Sequence, residues 1–137
     1  MKIVSSILIL GLAIGAVAQK GAAKPGQKTW QEAQQGTQQV NDAKLKQLTA
    51  AYKAAKAAYT KKPKDASLKK KYIDATYAVG LGTMYAENLP PRQKYSGALE
   101  YFREVKKANP KHKGAIDNYN MIAQIYHQMG KPVPGEK

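Results

Sequence analysis

Positive charge is the densest chemistry written into this chain. Between Ala43 and Ile73 stand Lys44, Lys46, Lys53, Lys56, Lys61, Lys62, Lys64, Lys69, Lys70 and Lys71, opposed by Asp65 alone. Over all 137 residues there are 23 Lys+Arg against 9 Asp+Glu, a formal net charge of +14. Such a field attracts polyanions and speeds association with acidic partners. Lys61, Lys62, Lys64, Lys69, Lys70 and Lys71 are therefore candidate ligands of an anionic polymer: an acidic envelope glycan, lipid head groups or nucleic acid. The same charges read alternatively as a solvated face that keeps the protein soluble. The only arginines are Arg92 and Arg103, so the forked donors preferred in specific phosphate recognition are scarce.

Other reactive constellations are absent from the sequence. The two histidines, His112 and His127, lack the four-residue spacing that sets two imidazoles on one helical face for zinc. His112 also sits between Lys111 and Lys113, which repel a cation. Cysteine is absent, so there is neither a thiol nucleophile nor a disulfide. No glycine loop precedes a phosphate-binding lysine, and no serine lies in a nucleophile elbow. Gly80-Leu81-Gly82 falls within a helical pattern. The expectation is a non-enzymatic chain with no cofactor and no metal.

The elements that carry these side chains read as helices. Leu45, Leu48, Tyr52, Ala55 and Tyr59 recur three and four apart, one stripe along a helix. Asn41 or Asp42 is placed to cap its start and Pro63 to end it. Asp65 can cap a second helix with two apolar faces: Leu68, Tyr72, Ala75, Val79 and Gly82 on one, Ile73, Tyr77, Leu81 and Met84 on the other. That pattern predicts a helix packed from both sides, with Gly80 and Gly82 marking close approach of a neighbour. Pro90-Pro91 read as a stop, and Ser96 as the cap of a third helix with Ala98, Leu99, Phe102 and Val105 inward, ending at Asn109-Pro110. A fourth helix, from about Lys113 to Met129, carries Ile116, Tyr119, Ile122, Ala123, Tyr126 and Met129, and Gly130 stops it. Most of the tyrosines fall on these stripes and are predicted to be core, with hydroxyls at the rim. Tyr95 and Tyr101 are candidates for exposure.

Two stretches share one punctuation: Ala51, Ala55, Ala58, Pro63 and Ala98, Phe102, Val105, Pro110. With Leu81-Gly82, Tyr85 and the run Tyr119, Ile122-Ala123, Tyr126, Gly130, the chain resembles tetratricopeptide repeats, helix–turn–helix units of roughly 34 residues. The resemblance spans Ala43 to Lys131, with Pro63 and Pro110 lying 47 positions apart. It implies an all-α fold of about four antiparallel helices stacked as hairpins, a fragment of a right-handed solenoid. A plain four-helix bundle gives the same stripes. The resemblance also implies a protein or peptide partner held in a concave groove. By position Thr76, Val79 and Thr83 would face that groove, with the polar stripe Asp117, Asn120, Gln124 and His127. That stripe reads equally as the solvated side of a terminal helix. A last helix without a partner would leave Met121 or Ile125 bare, a contact for a homodimer.

The ends are of different character. Met1-Lys2, the apolar run Ile3 to Ile14 and Ala16-Val17-Ala18 have the three parts of a secretory signal, so residues 1–18 are expected to be removed and the protein to be periplasmic or secreted, with no membrane span afterwards. The run is short of the roughly 20 apolar residues that cross a bilayer. Residues 19–40, rich in Gln, Gly and Lys, are expected to be a flexible leader, with Trp30 either docked through a short helix or exposed. Residues 41–131 form the helical domain and 132–137 a short tail.

Overall fold

The computed structural model describes residues 39–136, which fold into four α-helices: α1 Asp42–Lys61, α2 Ala66–Met84, α3 Pro91–Ala108 and α4 Lys113–Gln128. No strand occurs among the described residues; Val40 and Ala86 form an isolated bridge. Expectations for residues 1–38, the export signal and Trp30 included, lie outside the described residues.

A helix begins where its first unpaired N–H groups find an acceptor. Asn41 Oδ1 accepts from the Lys44 N–H at 2.9 Å, Asp65 Oδ1 from the Leu68 N–H at 3.0 Å, and His112 Nδ1 from the Ala115 N–H at 3.1 Å. Helix α3 starts differently, and earlier than its sequence suggests. Pro90 stands at its cap with no side-chain hydrogen bond and Pro91 is its first residue. Proline suits that position because it has no N–H to leave unpaired and its φ is already helical. Ser96 is therefore no cap. It lies inside the helix, and its hydroxyl donates back to the Arg92 carbonyl at 2.7 Å. The connection between α2 and α3 is thereby shortened to residues 85–90.

The helices run antiparallel and pack in chain order: α1 on α2, α2 on α3, α3 on α4. Side chains also reach across one helix. Tyr52 of α1 meets Tyr101 of α3 edge-on at 5.2 Å, and Asn118 of α4 donates to the Tyr77 hydroxyl of α2 at 3.2 Å. No comparable interface joins α1 to α4 among the described residues. Helix α2 is packed from both sides, as its two apolar faces predict, with Tyr72, Ile73, Val79 and Met84 buried, and α3 is likewise inner. Phe102, Leu99, Val105 and Ile122 complete the core, and each large side chain so buried is worth about 1.5–3 kcal/mol. Helix α1 has no buried residue, so it is held by one half-buried stripe and by polar contacts. Tyr95 and Tyr101 are half-buried rather than exposed.

The domain is longer than expected at both ends. Val40 donates to Tyr85 O and accepts from the Glu87 N–H, both at 2.9 Å. Residues 132–136 are no loose tail. Gly130 turns the chain at φ +64°, Lys131 N–H bonds Tyr126 O at 2.9 Å, and Val133 is 3% exposed. Arg103 donates to Pro134 O, and the Tyr119 hydroxyl donates to Glu136. This strap packs on both α3 and α4. Met121 and Ile125 are half-buried, not bare, and Met129, 51% exposed, is the large apolar side chain left in solvent among the described residues.

The two inner glycines differ in what lies against them. A Cβ on Gly80 would meet Phe102 Cε1 at 2.9 Å and Tyr101 Cβ at 3.1 Å; one on Gly82 would meet the Leu48 Cδ1 methyl at 2.5 Å. Phe102 is wholly buried and cannot withdraw, whereas Leu48 is half-buried and can change rotamer. Overpacking costs about 1–3 kcal/mol, while replacing a helical glycine by alanine returns about 1 kcal/mol. Gly80→Ala is expected to lower stability by about 1 kcal/mol, and Gly82→Ala to leave it level or raise it. Urea denaturation of both variants checks this; a Gly80→Ala protein more stable than Gly82→Ala contradicts the packing described.

Candidate functional site

The groove implied by the resemblance loses three of its seven lining residues. Thr76 and Val79 are completely buried and Thr83 is 8% exposed. Their position on an inner helix puts them in the core, not beside a ligand. Thr76 Oγ1 donates to Tyr72 O at 2.6 Å and Thr83 Oγ1 to Val79 O at 2.8 Å, which satisfies each hydroxyl within its own helix. Asp117, Asn120, Gln124 and His127 do lie exposed on α4. They share no concavity with the threonines, and Asp117 is paired with Lys113 at 2.6 Å.

The lysines are brought together more fully than sequence order suggests. Because the helices alternate in direction, the α1–α2 turn and the α3–α4 turn fall at the same end of the array. Lys61, Lys62, Lys64, Lys69, Lys70 and Lys71 are all exposed there. The second turn adds Lys106, Lys107, Lys111 and Lys113 from far along the chain. The acids at this end are engaged: Asp65 caps α2, Asp74 pairs with Lys70 at 2.6 Å, Asp117 pairs with Lys113, and Glu104 is bound as described next. Lys61, Lys62, Lys64, Lys69, Lys71 and Lys107 make no ion pair among the described residues. Lys69, Lys70 and Lys71 follow one another on a helix and so point in different directions.

Between the two turns lies a polar knot that joins three helices. Glu104 of α3 accepts from the Tyr52 hydroxyl of α1 at 2.8 Å and from the Tyr72 hydroxyl of α2, and pairs with Lys56 of α1 at 2.7 Å. Lys56 also donates to the Tyr52 oxygen at 2.8 Å. The rings of Tyr59 and Tyr72 stack beside it, centroids 5.1 Å apart. Burial alone would raise the Glu104 pKa, but the hydrogen bonds from Lys56, Tyr72 and Tyr52 outweigh it and hold the carboxyl below its ordinary value. Burial, then hydrogen bonding to Glu104, pushes the Tyr72 hydroxyl well up, and the bond to Glu104 raises the Lys56 ammonium.

Outside this knot opens a cleft of about 580 Å³, lined by Tyr59, Lys69, Tyr72, Arg103, Glu104, Lys107 and Ala108. Glu104 contributes little negative field to it, since Lys56 offsets the charge. Lys69, Arg103 and Lys107 therefore set the cleft's sign. Of these the sequence points to Lys69 alone. Arg103, Glu104 and Lys107 lie off the inward stripe of α3; Tyr101, Glu104 and Ala108, spaced three and four apart on its flank, are the available signal. No three His, Cys, Asp or Glu side chains gather as a metal site among the described residues. His112 caps α4 and packs on the Tyr77 ring at 4.6 Å. No helix among the described residues is long and apolar enough to cross a membrane.

Comparison with protein-family models, with curated proteins and with solved structures finds no match to this chain. The tetratricopeptide likeness remains a resemblance carried by the residues quoted above.

The knot has a pH signature. A carboxyl whose pKa is lowered on folding stabilises the fold above its unfolded value, about 4.3 for Glu, and that contribution is lost as pH falls through the lower folded value. Tyr72 and Lys56, with raised values, contribute below their unfolded values near 10 and lose that contribution at higher pH. Glu104→Gln is expected to cost about 1–2 kcal/mol at pH 7, on the scale of hydrogen bonds to a charged group reduced for partial exposure. The gap from the parent should close in strong acid. Denaturant midpoints from pH 2 to 7 test this, and a gap that persists unchanged at pH 2 counts against the ionised knot.

Proposed function

We propose that this chain is a non-enzymatic binding module, of tetratricopeptide-like stacked helices, that acts after export and holds an anionic polymer at its basic end. The observation that carries the reading is the convergence of lysines from two separate turns on one end, with every acid there already engaged. A solvated face that served solubility alone has no need of such focusing. The chain-order packing, without an α1–α4 interface, supports the stacked-hairpin architecture over a closed bundle. The scarcity of arginine supports electrostatic holding of a repeated charge over reading of one phosphate.

A second reading keeps a protein or peptide partner. Asp117, Asn120, Gln124 and His127 form one exposed face of α4, continuous in sequence with exposed Met129. Polar groups flanking an apolar side chain suit a peptide contact. Asp117 touches the basic end through Lys113, but Asn120, Gln124 and His127 lie further along α4, so the two readings separate by mutation.

Polyanion binding releases counterions and weakens steeply with salt. The full chain's affinity for an acidic glycan is expected to fall at least roughly tenfold between 50 and 200 mM salt. Changing Lys61, Lys62, Lys64, Lys69, Lys70 and Lys71 to Gln should weaken it further, and Asn120→Ala with Gln124→Ala should not. Fluorescence anisotropy in a salt series checks this. Affinity indifferent to salt, or lost only in the α4 variant, defeats the reading in favour of the second.

A further inference from the structure

We infer that the Tyr59–Tyr72 cleft is the specific subsite of this basic end, and that it takes a carboxylated sugar of an acidic glycan, with the 131–136 strap holding Arg103 in place to meet the carboxylate. The inference rests on the anionic-polymer reading and names its ligand.

The cleft differs from the surrounding lysine field in three ways. It is a depression open to solvent, of about 580 Å³, inside the roughly 300–1,000 Å³ range of small-ligand sites. Its floor is aromatic, with Tyr59 and Tyr72 stacked and Tyr72 only 8% exposed. And it holds Arg103, the one arginine of this end. Arg103 is not a loose surface side chain. It donates to Pro134 O and its guanidinium lies 5.4 Å from the centre of the Tyr119 ring. Gly135, at φ +79°, brings the strap so close that a Cβ there would stand 2.6 Å from Arg103 Nη1. A guanidinium fixed in this way loses less entropy when its remaining N–H donors bind a ligand.

These features favour a sugar acid over a nucleic acid. Bases need open ring faces on which to stack, and here one face of each tyrosine is covered by the other. A sugar ring asks for less aromatic surface: a C–H contact on the half-buried Tyr59 ring, donors for its oxygens and cations for its carboxylate. Lys69 from α2 and Lys107 from α3 stand on the cleft wall, so a carboxylate inside it is met from two helices besides Arg103. Glu104 on the floor does not repel it strongly, since the oxygens of Glu104 are bound by Tyr52, Tyr72 and Lys56.

The test is titration of the full chain with a short oligogalacturonate and with an oligothymidylate of equal charge, at fixed salt. Lys69→Gln with Lys107→Gln removes two charges at the cleft. Lys44→Gln with Lys46→Gln removes two at the start of α1, and all four side chains are exposed, so folding is not at stake. The cleft pair should weaken oligogalacturonate binding about tenfold and the distant pair less than threefold. Arg103→Lys, which keeps the charge, should weaken it about fivefold while changing oligothymidylate binding less than twofold. Equal losses from the two lysine pairs overturn the cleft while leaving the anionic-polymer reading standing, as does an Arg103→Lys protein that binds like the parent. An oligothymidylate that binds more tightly, or suffers the larger loss, overturns the sugar acid. If neither ligand binds the parent chain, the broader reading falls and this one with it.

Discussion

Glu104 stands where α1, α2 and α3 meet, and its carboxylate is the one charge that collects donors from each neighbour. The packing around it explains why this matters. Helix α1 buries no residue completely, so hydrophobic contact alone holds it loosely. Its stripe supplies Tyr52 and Tyr59, which bring a ring to the interface and a hydroxyl to the rim. Tyr52 fastens α1 to α3 through Glu104, and Tyr59 lies on Tyr72. Without an acceptor at 104, hydroxyls from two helices would lose their charged partner. A half-buried carboxylate of this kind stabilises because three donors outweigh the desolvation that opposes it.

The same carboxylate shapes the electrostatics of the surface above it. An unneutralised acid at the floor of the cleft would cancel part of the basic field. Lys56 is close enough to offset it and sits on α1, away from the cleft lining. The fold thus spends one lysine on holding α1 in place, and the remaining cations of the two turns keep their field. Structure and charge are coupled here: the side chains that position α1 also decide the sign of the cleft between α1, α2 and α3.

Much of this architecture is legible in the sequence. The apolar stripes fix the four helices because a period near 3.6 has one geometric meaning, and Asn41 and Asp65 mark starts because they are acceptors set just before a stripe. The two-faced pattern of α2 foretells its inner place. The failures have physical causes. Pro90-Pro91 reads as a stop, yet proline at the first position is as good a start. Thr76 and Thr83 look like polar lining, yet a threonine that returns its hydroxyl to its own helix packs as an apolar residue. The 131–136 strap is invisible to periodicity because its anchors, Val133, Pro134 and Glu136, bind residues on two other elements. The convergence of the two basic turns depends on which ends of the helices meet, and local spacing does not encode that.

Helix electrostatics separates lysines that serve the fold from those that do not. Lys61 lies in the last turn of α1, and Lys106 and Lys107 in the last turn of α3. There the negative pole of the helix favours a cation by about 0.3–1 kcal/mol. No such account covers the start of α2 or α4. Neither has an acid in its first turn; α4 opens on Lys113, and α2 runs from its first turn straight into Lys69, Lys70 and Lys71. Cations at the positive pole of a helix, next to one another and to a second basic turn, repel each other without helping α2 or α4 to fold. Two ion pairs relieve part of the strain, Lys70 with Asp74 and Lys113 with Asp117. Lys69 and Lys71 have no such relief among the described residues, and Lys69 is the one that lines the cleft. A charge placed where folding gains nothing from it is one that the proposed anionic ligand would use.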